Sequence, residues 1–428
     1  MARKHIWPIS VLGHWRWYVR YVLIPVWQAR FRYRKVLKRL RAYPPERKIK
    51  VLFVTGNPAK WKSQSLYDLM AKDDRYEVLL CQTICDLENT QYTHAQRVEH
   101  LRKCQEFFES RGMRYVEAYS REDGAWKDLN DFKADLVFYN QPWDLPRNQL
   151  PHWVAKTALT FQIPYYVPNS ESRAFDVGTP FQRTLFEYIA LNEKWAEYYR
   201  ESVNRIAFAG RIIGLGHTAL DYYYLHEGEL AGQKMVIYAP HWSFNHPQNL
   251  NYENLSTFLW TGRAMLDYAR RHPEIQWVFK PHPTLRSRLE VPGVWTRDEV
   301  DEYYNAWKKI GTIHQSGGYE ALFVASSAMI TDCNSFRIEY ACSSHPIVHL
   351  ISPDAKIRPA PFTSELIDTY YMVKKIDELE PMLDRIVVRG DDYNRSQRLE
   401  KIRELGLLGN YAARNILAWL DREVFRRS

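Results

Sequence analysis

The chain is 428 residues long, 46% apolar and 25% charged, which excludes a fibrous or disordered protein and calls for more than one hydrophobic core. Its net charge of +9 is uneven: residues 1–50 hold fourteen Lys and Arg against a single acid, Glu46, so the rest of the chain carries −4. A basic terminal segment on a slightly acidic body argues against a general nucleic-acid-binding protein. The five cysteines (Cys81, Cys85, Cys104, Cys333, Cys342) show no C-x-x-C spacing. Neither a disulfide framework nor a zinc site is expected, and a reducing compartment fits. No apolar run reaches the roughly 18–20 residues needed to span a bilayer, and the amino terminus does not read as a signal peptide.

From His5 to Tyr43 the chain interleaves Trp7, Trp15, Trp17, Tyr18, Tyr21, Trp27, Phe31 and Tyr33 with Arg16, Arg20, Arg30, Arg32, Arg34, Lys35, Lys38, Arg39 and Arg41. Arginine mixed with Trp and Tyr suits the headgroup boundary of an anionic membrane, with rings entering the interface and cations meeting phosphates. The membrane-contacting residues expected are Trp15, Arg16, Trp17, Arg20, Trp27, Arg30 and Arg32, in a peripheral contact rather than a span. The alternative is a basic helix whose aromatic face packs on the body of the protein. Nucleic-acid binding is a third option, but no nucleic-acid-binding motif accompanies the charge. Pro25 is expected to break the segment into two helical pieces, and Pro44-Pro45 to end it.

Lys50–Val54 reads as a buried strand running into Gly56-Asn57, followed by an amphipathic stretch near Lys62–Lys72 and a strand at Tyr76–Leu80, the opening of a βαβ unit. A helix over His94–Arg111 and strands at Tyr115–Ala118, Asp135–Tyr139 and Ile163–Val167 continue the alternation. Two loops end such strands, Asn140–Asp144 and Pro168–Glu171. A helical stretch is predicted near Phe181–Arg200, leading to Ala207–Leu215 and Gly216–Asp221. Glu227–Lys234 is a candidate linker. The alternation restarts with a strand at Lys234–Ala239, a helix at Leu255–Arg271, a strand at Trp277–Lys280 and helices at Arg297–Lys309 and Tyr319–Ser326. A strand at Ala328–Thr331, a helix at Ser335–Cys342 and a strand at Pro346–Leu350 follow, and the chain from Ile376 onward is expected to be helical.

This pattern predicts an α/β protein with a basic amphipathic segment (1–48), a Rossmann-like acceptor domain (49–230), a Rossmann-like nucleotide-donor domain (231–385) and a helical carboxyl-terminal segment (386–428). The two halves are expected to face each other across a cleft.

Two loops carry the chemistry. Lys280-Pro281-His282-Pro283 places a cation and an imidazole between rigid prolines at a strand's carboxyl end, where open parallel sheets bind ligands. A protonated His282 would balance charge on a leaving phosphate; the alternative is a turn that merely contains His. Thr331-Asp332-Cys333-Asn334-Ser335 opens a helix whose first N–H groups attract anions, although Asn334 and Ser335 would equally serve as caps. Glu339, one turn on, is either a ribose acceptor or a solvated acid. His241 follows the first strand of the second half and is a catalytic candidate; His217 is a weaker one. Ser316-Gly317-Gly318-Tyr319 resembles a backbone-approach loop, or simply a turn. Cys333 has no partner base and reads as packing. No cluster has metal-ligand spacing, and Mg²⁺ dependence is left open.

At Ile237-Tyr238-Ala239-Pro240-His241-Trp242, Lys280-Pro281-His282-Pro283 and Ile330–Phe336 followed by Glu339-Tyr340, the chain resembles the CDP-glycerol glycerophosphotransferase (teichoic-acid polymerase-like) family. The resemblance covers roughly residues 205–352. It implies a GT-B fold, a peripheral enzyme on the cytoplasmic face of the cell membrane and a CDP-activated polyol donor. It places the family's donor-phosphate histidine on His282 and its phosphate-binding turn on Thr331, Asp332, Asn334 and Ser335. The chain departs from the family at Cys333 and Asn334, and Ile163–Glu171 contains no counterpart of the first-domain histidine.

The expected reaction is transfer of glycerol phosphate, or a related polyol phosphate, to a hydroxyl of a lipid-linked saccharide in cell-surface glycan synthesis. Lys280, Thr331, Asp332, Asn334, Ser335, Glu339, Gly317 and Gly318 would hold the donor, and His282 and His241 would serve the chemistry. Glu171 or Asp144 would be the base. The alternatives are a nucleotide-sugar glycosyltransferase of capsule or lipopolysaccharide assembly and a non-catalytic membrane-associated scaffold.

Overall fold

The computed structural model describes residues 16–84, 92–142, 145–167, 177–203, 205–226, 234–244, 254–314, 318–356 and 359–426. The chain divides into two compact units, one formed by Met1–Tyr166, Ser172–Ala219 and Tyr411–Ser428, the other by Val167–Glu171 and Leu220–Asn410.

The first unit holds seven parallel strands: β1 (Ile49–Thr55), β2 (Tyr76–Gln82), β3 (Tyr115–Glu117), β4 (Leu136–Tyr139), β5 (Leu159–Gln162), β6 (Glu187–Ala190) and β7 (Arg211–Gly214). Their order is β3-β2-β1-β4-β5-β6-β7. The apolar run Val51-Leu52-Phe53-Val54 is buried on both faces, as a strand covered by helices on each side requires. Register aligns Phe53, Phe138 and Phe161 across β1, β4 and β5, with ring centroids 5.1 and 4.8 Å apart. The second unit holds six parallel strands: β8 (Met235–Ala239), β9 (Gln276–Phe279), β10 (Gly311–Ile313), β11 (Ala328–Thr331), β12 (Ile347–Leu350) and β13 (Tyr371–Val373), in the order β10-β9-β8-β11-β12-β13. Both sheets carry the doubly wound order whose direction reverses beside the first strand, and that reversal opens the crevice where such sheets bind ligands.

Several predicted elements shift. The strand expected at Ile163–Val167 lies at Leu159–Gln162, because Leu159–Gln162 is the stretch paired residue for residue with Leu136–Tyr139; Ile163-Pro164 follows it. The helix expected over Phe181–Arg200 is three elements, a turn of helix at Pro180–Arg183, strand β6 and a helix at Glu193–Ser202 capped by Asn192. Pro25 does not break the first helix. A π-turn over Val19–Leu23, closed by the Ile24 N–H on Val19 O, runs directly into the helix Ile24–Arg41 with Pro25 in its first turn. There the missing N–H of proline is best tolerated.

That helix buries Val26, Ala29, Tyr33, Val36 and Leu40, spaced three and four residues apart, and the last four join the first unit's core. Burying each of Val26, Val36 and Leu40 contributes roughly 1.5–3 kcal/mol. The Tyr33 hydroxyl lies 2.5 Å from Thr160 Oγ1 and donates to Thr184 O at 2.7 Å. The Ala412–Trp419 helix and the π-turn Leu420–Phe425 return to the same unit, adding Ile416, Trp419, Leu420 and Val424 to its core. Arg75 fixes them through Asp421, at 2.8 Å.

Glu187 on β6 is 1% exposed and accepts from Arg211 Nε at 2.9 Å. Burial pushes its pKa from 4.5 up to about 7, against the opposing pull of Arg211. A carboxyl raised in the folded state stabilises fully below its unfolded pKa, and that contribution is lost as pH rises through the folded value. The difference is ~3 kcal/mol above neutrality. Glu187→Gln keeps an acceptor for Arg211 and removes the charge. Urea unfolding is therefore expected to show the variant stabilised by up to ~3 kcal/mol at about pH 8 and barely changed at about pH 4. Equal effects at both would contradict this.

Candidate functional site

The carboxyl ends of β8 and β11 flank the reversal point of the second sheet. Pro240-His241 leaves β8 and Asp332 leaves β11, and one carboxylate joins them. Asp332, 2% exposed, accepts the His241 N–H at 2.5 Å on one oxygen and the Thr257 N–H and hydroxyl at 2.6 and 2.8 Å on the other. Burial pushes Asp332 up to about 6 despite these donors. Thr331 Oγ1 donates to Ala239 O at 2.7 Å and accepts from Cys333 N at 2.9 Å. Thr331 and Asp332 thus direct these polar atoms to the frame of the loops rather than outward.

That frame holds two imidazoles together. The His241 and His282 ring centroids are 5.3 Å apart, and Trp242 stands 5.8 Å from His282. The Ser243 N–H donates to His241 Nδ1 at 3.2 Å, and the Thr284 N–H donates to His282 Nδ1 at 3.1 Å. Each neutral ring therefore carries its proton on Nε2. Burial, with the neighbouring His282 second, lowers His241 to about 3, so it is a neutral N–H donor across the physiological range. His282 is half-buried, and its backbone N–H donates to Pro240 O at 3.1 Å.

Lys280 is 9% exposed, with its ammonium 4.8 Å from the Tyr319 ring centroid and 4.9 Å from that of Phe336. Phe336 belongs to the first turn of the helix Asn334–Ala341, so the Lys280–Pro283 loop and the Asp332–Ser335 turn meet at this ammonium. The Asn334 and Ser335 side chains do not cap that helix. Its cap position is Cys333, with no side-chain cap bond. Asn334 Oδ1 is taken by Arg337 Nη2, and Ser335 Oγ lies 3.4 Å from Cys333 Sγ. Ser335 is exposed. A helix start without a side-chain cap leaves N–H groups of its first turn for an anion. Cys333 is buried, and burial raises its thiol pKa.

Glu339 is 2% exposed and accepts from the Tyr319 hydroxyl at 2.9 Å, so it is an interior acid rather than a solvated one. Gly318 is exposed at φ +82°. Glu171, Asp144, Gly317 and Trp15 lie outside the described residues, as does most of the Glu227–Lys234 candidate linker. His217 belongs to the first unit and is 2% exposed. It bonds Tyr166 O at 3.1 Å through Nε2 and accepts the Ala219 N–H at 3.2 Å.

Besides Thr257, two residues join the site that sequence reasoning did not single out. His314 follows β10, where burial and then the Lys280 charge lower its pKa, and its buried Nε2 has no hydrogen-bond partner. Arg337, 7% exposed, is lowered to about 10 by burial and faces His349 Nε2 at 3.4 Å. β10 is three residues long, too short for a periodic signal, so the placement of His314 at a strand end was not legible.

On the first helix, Trp17, Trp27 and Phe31 are 51%, 60% and 59% exposed. Arg30 and Arg32 instead turn onto the body, donating to Phe208 O (3.1 Å from Nε) and His152 O (2.5 Å) respectively. The segment therefore packs through one face and presents rings on the opposite one. Among the described residues no helix is long and apolar enough to cross a membrane.

Neither a protein-family model nor a curated protein matches the chain. Solved structures do. A variant of the wall teichoic acid polymerase TagF is 12% identical, with 97% of this chain and 98% of that one covered at a TM-score of 0.52. A UDP-N-acetylglucosamine 2-epimerase is 13% identical, with 89% and 98% covered, at 0.51. UDP-GlcNAc 2-epimerase from Neisseria meningitidis, bound to UDP-GlcNAc, is 14% identical, with 86% and 100% covered, at 0.50. These likenesses define the fold: two parallel-sheet α/β units of the GT-B class, preceded by a helical amino-terminal segment.

Proposed function

We propose that the protein transfers glycerol phosphate, or a related polyol phosphate, from a CDP-activated donor to a hydroxyl of a lipid-linked saccharide during cell-surface glycan synthesis. One observation carries the reading: Lys280, the Nε2–H tautomers of His282 and His241, and a helix start without a side-chain cap gather at the carboxyl edge of one sheet. That set suits a diphosphate, because ammonium, imidazole N–H and backbone amides all favour negative charge. The acceptor oxygen bonds to the distal phosphorus as the bridging P–O bond breaks, and CMP departs with that oxygen and its electron pair. Lys280 and His282 offset the growing charge. Glu339 would accept from the ribose, and Glu171 or Asp144 would take the acceptor proton. The likeness to a teichoic acid polymerase supports this choice within the GT-B class.

The likeness to epimerases, one bound to a UDP-sugar, favours a second reading, a nucleotide-sugar glycosyltransferase. Incubating the purified protein with CDP-glycerol, CDP-ribitol and UDP-sugars and following release of CMP, CDP or UDP separates the two. UDP release alone would replace the first reading with the second, and failure to bind any nucleotide would favour a scaffold.

The reading includes a peripheral contact with an anionic membrane through Trp17, Arg20, Trp27 and their neighbours, Phe31 among them. Trp27→Ala with Phe31→Ala removes two exposed rings without touching the core. Cosedimentation with phosphatidylglycerol vesicles is expected to fall about tenfold or more, while thermal stability stays unchanged. Undiminished cosedimentation would remove the helix from membrane binding.

A further inference from the structure

A cavity of about 510 Å³ in the first unit, separate from the strand ends described above, is lined by Arg30, Arg200, Arg205 and Arg211 over an apolar floor that includes Phe208 and Ile212. Its volume falls within the range of small-molecule sites. The four cations are not equally compensated. Arg200 pairs with Glu193 at 2.7 Å and Arg211 with Glu187 at 2.9 Å. Arg30 donates only to the carbonyls of Phe208 and Arg205, and Arg205 is exposed; neither pairs with a carboxylate among the described residues. Two unneutralised guanidiniums beside an apolar floor describe an amphiphile's receptor, with a negative head at the arginines and its carbon chain on the floor.

The surroundings indicate where that amphiphile comes from. The π-turn Val19–Leu23 packs against the Arg205–Ala207 turn. Ile206 in that turn is 59% exposed, and Arg30 comes from the same helix that displays Trp27 and Phe31. An exposed isoleucine beside a cationic pocket, in a unit whose first helix displays aromatic rings, is an arrangement a bilayer interface meets.

We infer that the cavity formed by Arg30, Arg200, Arg205 and Arg211 binds the phosphodiester headgroup of an anionic glycerophospholipid. The inference rests on the membrane reading for the source of the lipid, but the pocket is testable without a membrane. The probe is monomeric dihexanoyl-phosphatidylglycerol, titrated into the full chain by calorimetry. Saturable binding is expected, weakened about fivefold or more by Arg205→Ala. Arg34→Ala, an exposed cation on the same helix outside the cavity lining, leaves it unchanged. Arg205 is exposed, so its removal does not endanger the fold. Equal weakening by both variants would reduce the effect to surface charge and overturn the pocket. Binding of free glycerol 3-phosphate as tight as that of the dihexanoyl lipid would overturn the lipid assignment. If wild-type protein binds vesicles but not the monomeric lipid, the pocket falls and the membrane reading stands. If it binds the monomer but no vesicle, the reverse holds.

Discussion

His282→Ala is expected to lower CMP release from CDP-glycerol by ~10²-fold or more, with the protein as stable as before. His282 is half-buried on a proline-flanked turn, and its Nδ1 is occupied by the Thr284 N–H. The ring is thus oriented before any ligand arrives, and its Nε2–H is spent on charge that develops as the P–O bond breaks. The loss should fall on kcat more than on KM, because Lys280 and the helix amides still hold the ground-state diphosphate. His282→Gln, which keeps an N–H donor, should recover part of the rate. Unchanged release by the Ala variant would remove His282 from the mechanism. A rise in KM alone would make it a binding group.

Asp332→Ala is expected to damage both fold and activity. Its carboxylate answers three donors, two of them backbone, in a place closed to water. Each stranded donor costs ~1–3 kcal/mol, so a loss of about 3 kcal/mol or more in chemical denaturation is the expected result. The His241 turn would also lose its anchor to β11, so nucleotide release should fall beyond what the unfolded fraction explains. Wild-type stability for this variant would show that the turn is held by other means.

Much of this site was legible because strand ends announce themselves. A run such as Trp277-Val278-Phe279, closed by Lys280-Pro281-His282-Pro283, signals a buried strand, a rigid turn, a cation and an imidazole within seven residues. The meeting of that turn with Asn334–Ala341, at the 4.9 Å Lys280–Phe336 contact, follows from the strand order of the second sheet. What sequence patterns miss is partnership at long range. Asp332 looks like a capping or ligand-binding acid until His241 and Thr257, 91 and 75 residues away, are found on its oxygens. Asn334 and Ser335 look like caps by type, yet Arg337 claims Asn334 from one turn away. Strand β6 was hidden because Glu187 breaks its apolar run, and Arg211 beside it offsets part of the cost of burying that acid.

The last described helix has a consequence for how the protein is made. Ile416, Trp419, Leu420 and Val424 complete a hydrophobic interior whose other members lie before residue 220. Some 190 residues, Leu220–Asn410, separate the two contributions, so at ~5–20 residues per second the ribosome delivers the second roughly 10–40 s after the first. Through that interval the nascent amino-terminal half is an open-sided intermediate, and it needs shelter from aggregation until the final helix emerges to close it.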